Sequence, residues 1–182
     1  MRCTIRSAVP EDAERLLSLY GWYVEHTAIS FECAVPALEE FRERIRSTLP
    51  RYPWLVLEEG GVLQGYAYAG PFGKRAAYRF SCEVSIYVDR SAAGRGYGRR
   101  LYQALEAALR EQGIRNLYAC IADPVVEDEY LTRNSEQFHA HMGFEMVGAF
   151  HRCGYKFGRW YNMVWMEKLL SDAADSGCDS PV

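Results

Sequence analysis

The chain reads VSIYVDRSAAGRGYGRRLYQALEAAL from Val84 to Leu109. Its opening residues, 84–88, are mostly β-branched or aromatic and predict a strand, whereas the leucines and alanines after Arg100 recur at helical spacing. The loop between them holds Gly94, Gly96 and Gly98, with Arg95, Arg99 and Arg100 beside them within six residues. Glycines let backbone N–H groups turn toward a ligand, and the start of a helix adds further unpaired N–H groups. The segment therefore predicts a site for an anion, such as a phosphate or pyrophosphate.

Two other nucleotide-binding loops share this order of strand, glycines and helix. The phosphate loop of NTPases requires a Lys-Ser or Lys-Thr pair after its glycines, and this segment has none. A dinucleotide fingerprint would place a third glycine where Arg99 stands, and it normally opens its domain instead of lying in mid-chain. A glycine-rich turn that only caps the helix is the remaining alternative, and the three arginines make it less favoured.

Length and composition indicate one domain over residues 1–170, followed by a polar tail at 171–182 that we expect to be flexible. The net charge is −3 and the arginines are scattered, so we expect no nucleic-acid partner. No apolar run approaches the ~20 residues of a membrane span, and the N-terminus lacks the apolar core of a signal peptide. The six cysteines include no Cys-x-x-Cys pair, which predicts reduced thiols in a cytoplasmic protein and no metal site.

The order of apolar patterns predicts an α/β (α+β) fold, a mixed sheet of about seven strands flanked by about four helices. Strands are expected at 3–6, 54–58, 62–70, 79–88 and 116–122, with two more in the aromatic-rich remainder up to Lys168. Helices are expected from Pro10, from Pro36 to Leu49, after the glycine loop, and from Asn134 to Met142.

The glycine loop resembles the cofactor loop of the Gcn5-related N-acetyltransferase superfamily, whose signature is Gln/Arg-x-x-Gly-x-Gly/Ala. Gly96 and Gly98 match its two small positions, and Ala93 replaces the long polar side chain that opens it. The resemblance implies acetyl-CoA as co-substrate and a downstream Asn, here Asn134, that contacts it. The cofactor-binding residues implied in this way are Ile86, Tyr87, Val88, Gly94, Arg95, Gly96, Tyr97, Gly98, Arg99 and Asn134.

Three further motifs are similar to those of the phosphinothricin and methionine sulfone or sulfoximine N-acetyltransferases. They are RYPWLV at 51–56, AYAGPF at 67–72 and GYKFG-x-W at 154–160. His139 stands four residues before Gly143, where the wider superfamily often has a Tyr. The resemblance covers about residues 1–168 and implies a homodimer. Two stretches depart from it: 125–133 reads as an insertion, and Tyr161-Asn162 replaces a His-Asp pair.

Glu83 is the candidate general base that removes the ammonium proton of the acceptor, directly or through a water. Its neighbours are neutral, so partial desolvation should raise the pKa of its carboxyl; the alternative is a surface glutamate paired with an arginine. His139 could donate a proton to the coenzyme A thiolate or relay the amine proton, and the alternative is a histidine hydrogen-bonded for structure. His139 and His141 lie two apart on a helix and point to different sides, which argues against a shared metal.

An amino-acid carboxylate or phosphinate would need a cation, and the nearest candidates follow the Gly70-Pro71 pair. The acceptor-binding residues predicted in this way, with the aromatic side chains that could wall the pocket, are Lys74, Arg75, Phe31, Tyr78, Tyr155 and Trp160. Backbone N–H groups between Ile86 and Val88 are expected to stabilise the developing oxyanion. The resemblance implies that a break in strand pairing frees them.

These residues predict acetyl transfer to the amine of a small amino-acid-like acceptor. Direct transfer in a ternary complex is expected, because no cysteine stands in a recognisable nucleophile setting. An acceptor unrelated to phosphinothricin stays open as an alternative. The rival interpretation is a non-catalytic module that binds or senses acyl-CoA, which Ala93 favours. Glu83 and His139 oppose it, because binding alone requires neither residue.

Overall fold

Seven strands and four helices make up the part of the chain that the computed structural model describes, residues 3–92 and 94–170. The strands are β1 Cys3–Ser7, β2 Trp54–Glu59, β3 Val62–Pro71, β4 Ser81–Val88, β5 Asn116–Pro124, β6 Glu145–Lys156 and β7 Arg159–Leu169. The helices are α1 Ala13–His26, α2 Leu38–Thr48, α3 Tyr97–Glu111 and α4 Asn134–His141. Short 3-10 turns lie at Pro10–Asp12, Ala76–Tyr78 and Arg90–Ala92.

The strands form one mixed sheet in the order β1-β2-β3-β4-β5-β7-β6. Neighbours pair antiparallel throughout except β4 and β5, which run parallel. A parallel pair needs a crossover connection, and α3 supplies it. Because the glycine loop joins the end of β4 to the start of α3, the fold places that loop at the carboxyl end of the central strand.

Each face of the sheet carries its own core. Amphipathic α3 covers one face, where its apolar residues pack on inward-facing side chains of the central strands such as Val84 and Ile121. Helices α1 and α2 cover the opposite face and pack on aromatic residues of β2 and β3. There Trp54 stacks on Tyr68 with ring centroids 4.1 Å apart. Since side chains alternate along a strand, each residue of β4 belongs to one face or the other.

The expected sheet and the four expected helices are confirmed, with changes at their ends. The first helix was expected from Pro10, but the chain makes a 3-10 turn over Pro10–Asp12 before α1 begins. Similarly, β4 begins at Ser81 instead of residue 79, because the 3-10 turn Ala76–Tyr78 precedes it. The expected tail at 171–182 lies outside the described residues. Within those residues, no helix has the length and apolar character to cross a membrane.

Candidate active site

The central feature of the site is the point where β4 and β5 part. These strands pair from Ser81↔Asn116 to Glu83↔Tyr118 and no further, although β4 stays paired with β3 as far as Val88. The edge of β4 beyond Glu83 is therefore not used by β5. This confirms the break in pairing that the resemblance implied, and it leaves strand groups able to bind a ligand.

Two adjoining cavities follow from this separation. A groove of about 870 Å³ runs along the glycine loop, and a cavity of about 50 Å³ lies between the parted strands. They share Ile29, Ile86 and Ser135, so the groove leads into the smaller cavity. Of the cofactor residues predicted from sequence, the groove is lined by Ile86, Val88, Gly94, Gly96, Tyr97, Gly98, Arg99 and Asn134. Tyr87 lines the smaller cavity.

The glycines of the loop have different physical roles. Gly94 and Gly96 adopt φ values of +75° and +77°, which other residues rarely adopt, and Gly96 directly precedes α3. Gly98 lies inside the first turn of α3, where a Cβ atom would meet the ring of Phe138 at 3.1 Å. The first turn of α3 thus presents its unpaired N–H groups to the groove, as an anion site requires. Ala93 lies outside the described residues.

The three arginines of the loop are not equivalent. Arg95 turns away from the groove: its guanidinium donates to the Glu59 carboxylate at 2.6 Å and lies 4.9 Å from the centre of the Tyr97 ring. Arg99 lines the groove. In the described part of the chain, neither Arg99 nor Arg100 forms an ion pair with a carboxylate, so the charge of Arg99 is available to a phosphate.

Glu83 forms the last pair between β4 and β5 and is half-buried. Val84 belongs to the α3 core, so Glu83 faces the opposite side of the sheet, the side of α1 and α2. Burial raises the pKa of its carboxyl, and among the described residues no arginine or lysine offsets that effect. The alternative interpretation, in which Glu83 is a surface residue paired with an arginine, therefore does not hold among the described residues.

His139 approaches the parting from the other face. It lines the smaller cavity, is 4% exposed, and packs against Phe138 and Phe144. Its Nδ1 lies 2.7 Å from the Ser135 carbonyl oxygen and its Nε2 lies 2.7 Å from the Tyr102 hydroxyl. A carbonyl only accepts, so Nδ1 carries the proton and Nε2 accepts from Tyr102. Burial lowers the pKa of His139, which keeps this ring neutral.

The predicted acceptor residues do not all meet. The ring of Phe31 packs on Gly154 and lies near Tyr161, on the face that carries Glu83. Tyr155 follows Gly154 and Trp160 precedes Tyr161, so both point to the other face of the sheet. They are 57% and 55% exposed, and their ring centroids lie 4.9 Å apart. Within one chain, they therefore do not share a pocket with Phe31.

The loop after β3 brings a second group of predicted residues close to Glu83. Gly70 pairs with Glu83 across the sheet, and Lys74 and Arg75 follow as exposed side chains. Phe72 stacks on Tyr118, the partner of Glu83 on β5, with ring centroids 4.1 Å apart. Tyr78 packs edge-on against that same Phe72. The loop thus packs its aromatic residues beside the strand pair that carries Glu83, while Lys74 and Arg75 have exposed side chains.

The predicted insertion at 125–133 contacts Tyr161, one of the two residues that depart from the family motif, and the other, Asn162, contacts the strand just before the insertion. Asp128 accepts hydrogen bonds from its own loop and from the Tyr161 hydroxyl at 3.0 Å. Asn162 donates to Asp123 at the end of β5, at 3.1 Å. The Tyr130 carbonyl accepts from the Ala28 amide at 3.0 Å, so the insertion also supports the segment 27–33 between α1 and α2. We call this segment the acceptor loop.

Several residues of the site were not identified from sequence. Lys156, in the quoted GYKFG-x-W motif, is 6% exposed, and its ammonium donates to the Ser30 carbonyl at 2.7 Å. Burial lowers the pKa of Lys156. Tyr102, Ile29 and Glu59 were also missed, because each joins the site from a distant part of the chain. Among the described residues, no three His, Cys, Asp or Glu side chains are placed to hold a metal ion.

Comparisons with known proteins agree with this geometry. The acetyltransferase (GNAT) domain model matches residues 5–165. Phosphinothricin N-acetyltransferase of Streptomyces coelicolor is 34% identical over 170 residues, 91% of this chain and 95% of that protein. The L-methionine sulfoximine/L-methionine sulfone acetyltransferase of Salmonella typhimurium is 31% identical, over 96% of this chain and 99% of its own length.

A solved structure shows the same fold. It is a GNAT superfamily phosphinothricin acetyltransferase from Sinorhizobium meliloti in complex with acetyl-CoA, with 31% identity and a TM-score of 0.86. The similarity covers 97% of this chain and 93% of that one. Given the family match over most of the chain, this protein belongs to the acetyltransferase (GNAT) family.

Proposed function

We propose that this protein transfers the acetyl group of acetyl-CoA to the amine of a small amino-acid-like acceptor, of the phosphinothricin or methionine sulfone/sulfoximine type. The observation that carries the proposal is the half-buried Glu83 carboxylate, which has no cationic partner among the described residues, at the point where β4 parts from β5. The parting adjoins a groove lined by the start of a helix and an available arginine. The relatives whose names give phosphinothricin or methionine sulfoximine as substrate match over nearly their whole length.

The groove has the features that acetyl-CoA requires. The N–H groups at the start of α3, with Arg99, would hold the phosphates, and Asn134, the first residue of α4, also lines the groove. The edge of β4 left by β5 would hold amide groups of the pantetheine arm in the manner of an added strand. Acetyl-CoA supplies an activated thioester. The chain's own contribution is to position that thioester and to move a proton.

Glu83 would accept the proton from the acceptor amine, since an ammonium cannot attack a carbonyl. Its raised pKa makes it a better base than an exposed glutamate, and the absence of a cationic partner in the described structure leaves its oxygens available. Backbone N–H groups of 86–88 would donate to the carbonyl oxygen as charge develops on it. The acceptor would therefore enter from the face covered by α1 and α2.

His139 is proposed to return a proton to the departing thiolate. In the described geometry the ring is neutral and both nitrogens are engaged, so donation of the Nδ1 proton to the thiolate must be matched by transfer of the Tyr102 hydroxyl proton to Nε2. That transfer would leave a buried Tyr102 anion, which burial disfavours because it raises the pKa of Tyr102. The alternative role is to hold the wall of the smaller cavity in place, for which the neutral, doubly hydrogen-bonded ring is well suited.

We further propose a homodimer in the cytoplasm. The edge strand β6 exposes apolar side chains, with Met146, Val147 and Phe150 each about half exposed, and such an edge favours association. Light scattering of the wild type and of a Phe150→Asp variant would test the dimer: a monomeric wild type contradicts it.

The cytoplasmic location is proposed from the cysteines. The five described cysteines are unpaired, as a reducing compartment would leave them.

The first experiment is thiol release from acetyl-CoA across a panel of amines led by phosphinothricin and methionine sulfoximine. Rapid release with these two supports the proposal. Release only with other amines keeps the reaction and rejects the acceptor class. Binding of coenzyme A without release on any amine would favour the non-catalytic module.

A further inference from the structure

The cavity between the parted strands is small and placed where a thioester would end, and its lining combines apolar side chains with the polar residues Ser85, Cys120, Ser135 and His139. Its volume is about 50 Å³, against about 870 Å³ for the groove that leads into it. Its apolar wall consists of Ile29, Val84, Ile86, Ala119 and Ile121. Because Val84 directly follows Glu83, the cavity begins one residue beyond the proposed base.

The route of the donor determines what this cavity would receive. A pantetheine arm that starts at the glycine loop and follows β4 passes Ile86 and reaches the residues shared by the two cavities. The acyl group is the last part of the donor, so it would enter the smaller cavity. The volume of that cavity is a small fraction of that of the groove, so the space suits a short acyl group.

We propose that this cavity is an acyl chamber that limits the donor to short acyl groups, and that Ile29 sets the limit. The proposal rests on the proposed function, because it assigns the donor selectivity of the same site.

Ile29 differs from the other walls in its setting. Val84, Ala119 and Ile121 are buried in the sheet, with exposures of 3%, 1% and 5%, and belong to the core on the α3 face. Ile29 is 38% exposed on the acceptor loop and lines both cavities. Its size can therefore change without opening the core, and its side chain lies where the groove meets the chamber.

The neighbours of Ile29 prevent it from moving aside for a longer chain. The Ala28 amide donates to the Tyr130 carbonyl at 3.0 Å, and the Ser30 carbonyl accepts from Lys156 at 2.7 Å. The Ser30 hydroxyl also lies 2.7 Å from the hydroxyl of Tyr20. The backbone on both sides of Ile29 is thus attached to three separate elements, which makes the chamber wall rigid.

The test compares acetyl-, propionyl-, butyryl- and hexanoyl-CoA at a fixed concentration of an accepted amine, in the wild type, Ile29→Ala and Ile29→Val. A misfitting methylene typically changes kcat/KM by about 10- to 200-fold. We expect the wild type to lose at least about tenfold in kcat/KM from acetyl- to butyryl-CoA. Ile29→Ala should recover most of that loss for butyryl-CoA, and Ile29→Val should fall between them.

The control is Val126→Ala, a truncation at a position 76% exposed in the insertion, which should leave the ratio of butyryl- to acetyl-CoA turnover unchanged. Equal turnover of all donors by the wild type would overturn the proposal, as would an unchanged ratio in Ile29→Ala. If no donor is turned over, the proposed function fails separately. Calorimetry then tests the acyl chamber without turnover. The wild type should bind acetyl-CoA with a lower Kd than butyryl-CoA, and Ile29→Ala should reduce that difference; equal Kd values in the wild type would overturn the proposal.

Discussion

The Arg95 guanidinium and the Glu59 carboxylate form an ion pair at 2.6 Å that ties the glycine loop to the end of β2. Arg95 was predicted to bind the cofactor, and its pairing suggests a different way of serving the same site. Its charge is already matched, and its side chain lies over Tyr97 at the start of α3. We therefore expect Arg95 to position the loop, whereas Arg99 meets the phosphates.

A charge exchange separates these two roles. Arg95→Glu and Glu59→Arg should each raise KM for acetyl-CoA several-fold with little change in kcat, because each places like charges together. The double variant should restore KM to near the wild-type value. Arg99→Gln serves as the comparison: it should raise KM and weaken its dependence on salt, and no change at Glu59 should rescue it. A double variant as impaired as Arg95→Glu would show that Arg95 contacts the cofactor itself.

Removal of the Glu83 carboxylate should reduce kcat by about 10²- to 10⁴-fold, the usual contribution of a general base. Since the base acts deprotonated and burial raises its pKa, wild-type activity should fall as pH drops through a value above that of an exposed glutamate. Glu83→Gln should lack this limb of the pH profile. Glu145→Gln, at an exposed position on β6, is the matched control. Wild-type turnover by Glu83→Gln across the pH range would disprove the assignment.

The same substitution should stabilise the fold. A carboxyl whose pKa is higher in the folded than in the unfolded state favours folding less once pH exceeds the unfolded value, because its charged form is the one that burial disfavours. At neutral pH, Glu83→Gln should therefore raise the free energy of unfolding relative to wild type. Near pH 4 the difference should shrink. Urea titrations at the two pH values measure it, and a neutral-pH loss of stability would contradict the role of burial.

Tyr102→Phe should leave the Nε2 of His139 without its donor inside the core, at a cost of about 1–3 kcal/mol in the free energy of unfolding. Tyr155→Phe, at a position more than half exposed, should change stability little. In the wild type, nitrogen NMR should find His139 neutral at pH 7, with the proton on Nδ1. Detection of a doubly protonated ring at that pH would mean that burial does not lower its pKa.

Lys156→Met removes the ammonium that holds the acceptor loop at Ser30. We expect KM for the amine to rise several-fold and KM for acetyl-CoA to rise less, because the phosphate end of the groove is untouched and only Ile29 of this loop lines the donor site. Lys156→Arg keeps a donor and should recover part of the loss. Equal increases in both KM values would indicate a general disturbance of the fold instead.

Local patterns were sufficient to predict the elements and the glycine loop, since helical spacing, β-branched runs and glycines act over a few residues. The ion pair of Arg95 was not predictable, because its partner lies 36 residues away. Likewise His139 was identified, but its donor Tyr102 lies 37 residues earlier, on another helix. The face on which Tyr155 and Trp160 lie was not predictable either, because a shift of one residue along β6 or β7 moves a side chain from the face of Phe31 to the opposite face.

The short ladder between β4 and β5 also has a mechanical meaning. Its three residue pairs lie at one end of β4. Within the described structure they are the only strand pairing that joins β1–β4 to the other three strands, β5, β7 and β6. The sheet is thus two parts, β1–β4 and β5–β7, joined by three residue pairs at one end. Phe138 of α4 packs against Gly98 of α3 beside the parting, so we expect its size to influence how far the two parts separate. Substitution of Phe138 should then change the width of the parting without altering a reacting group.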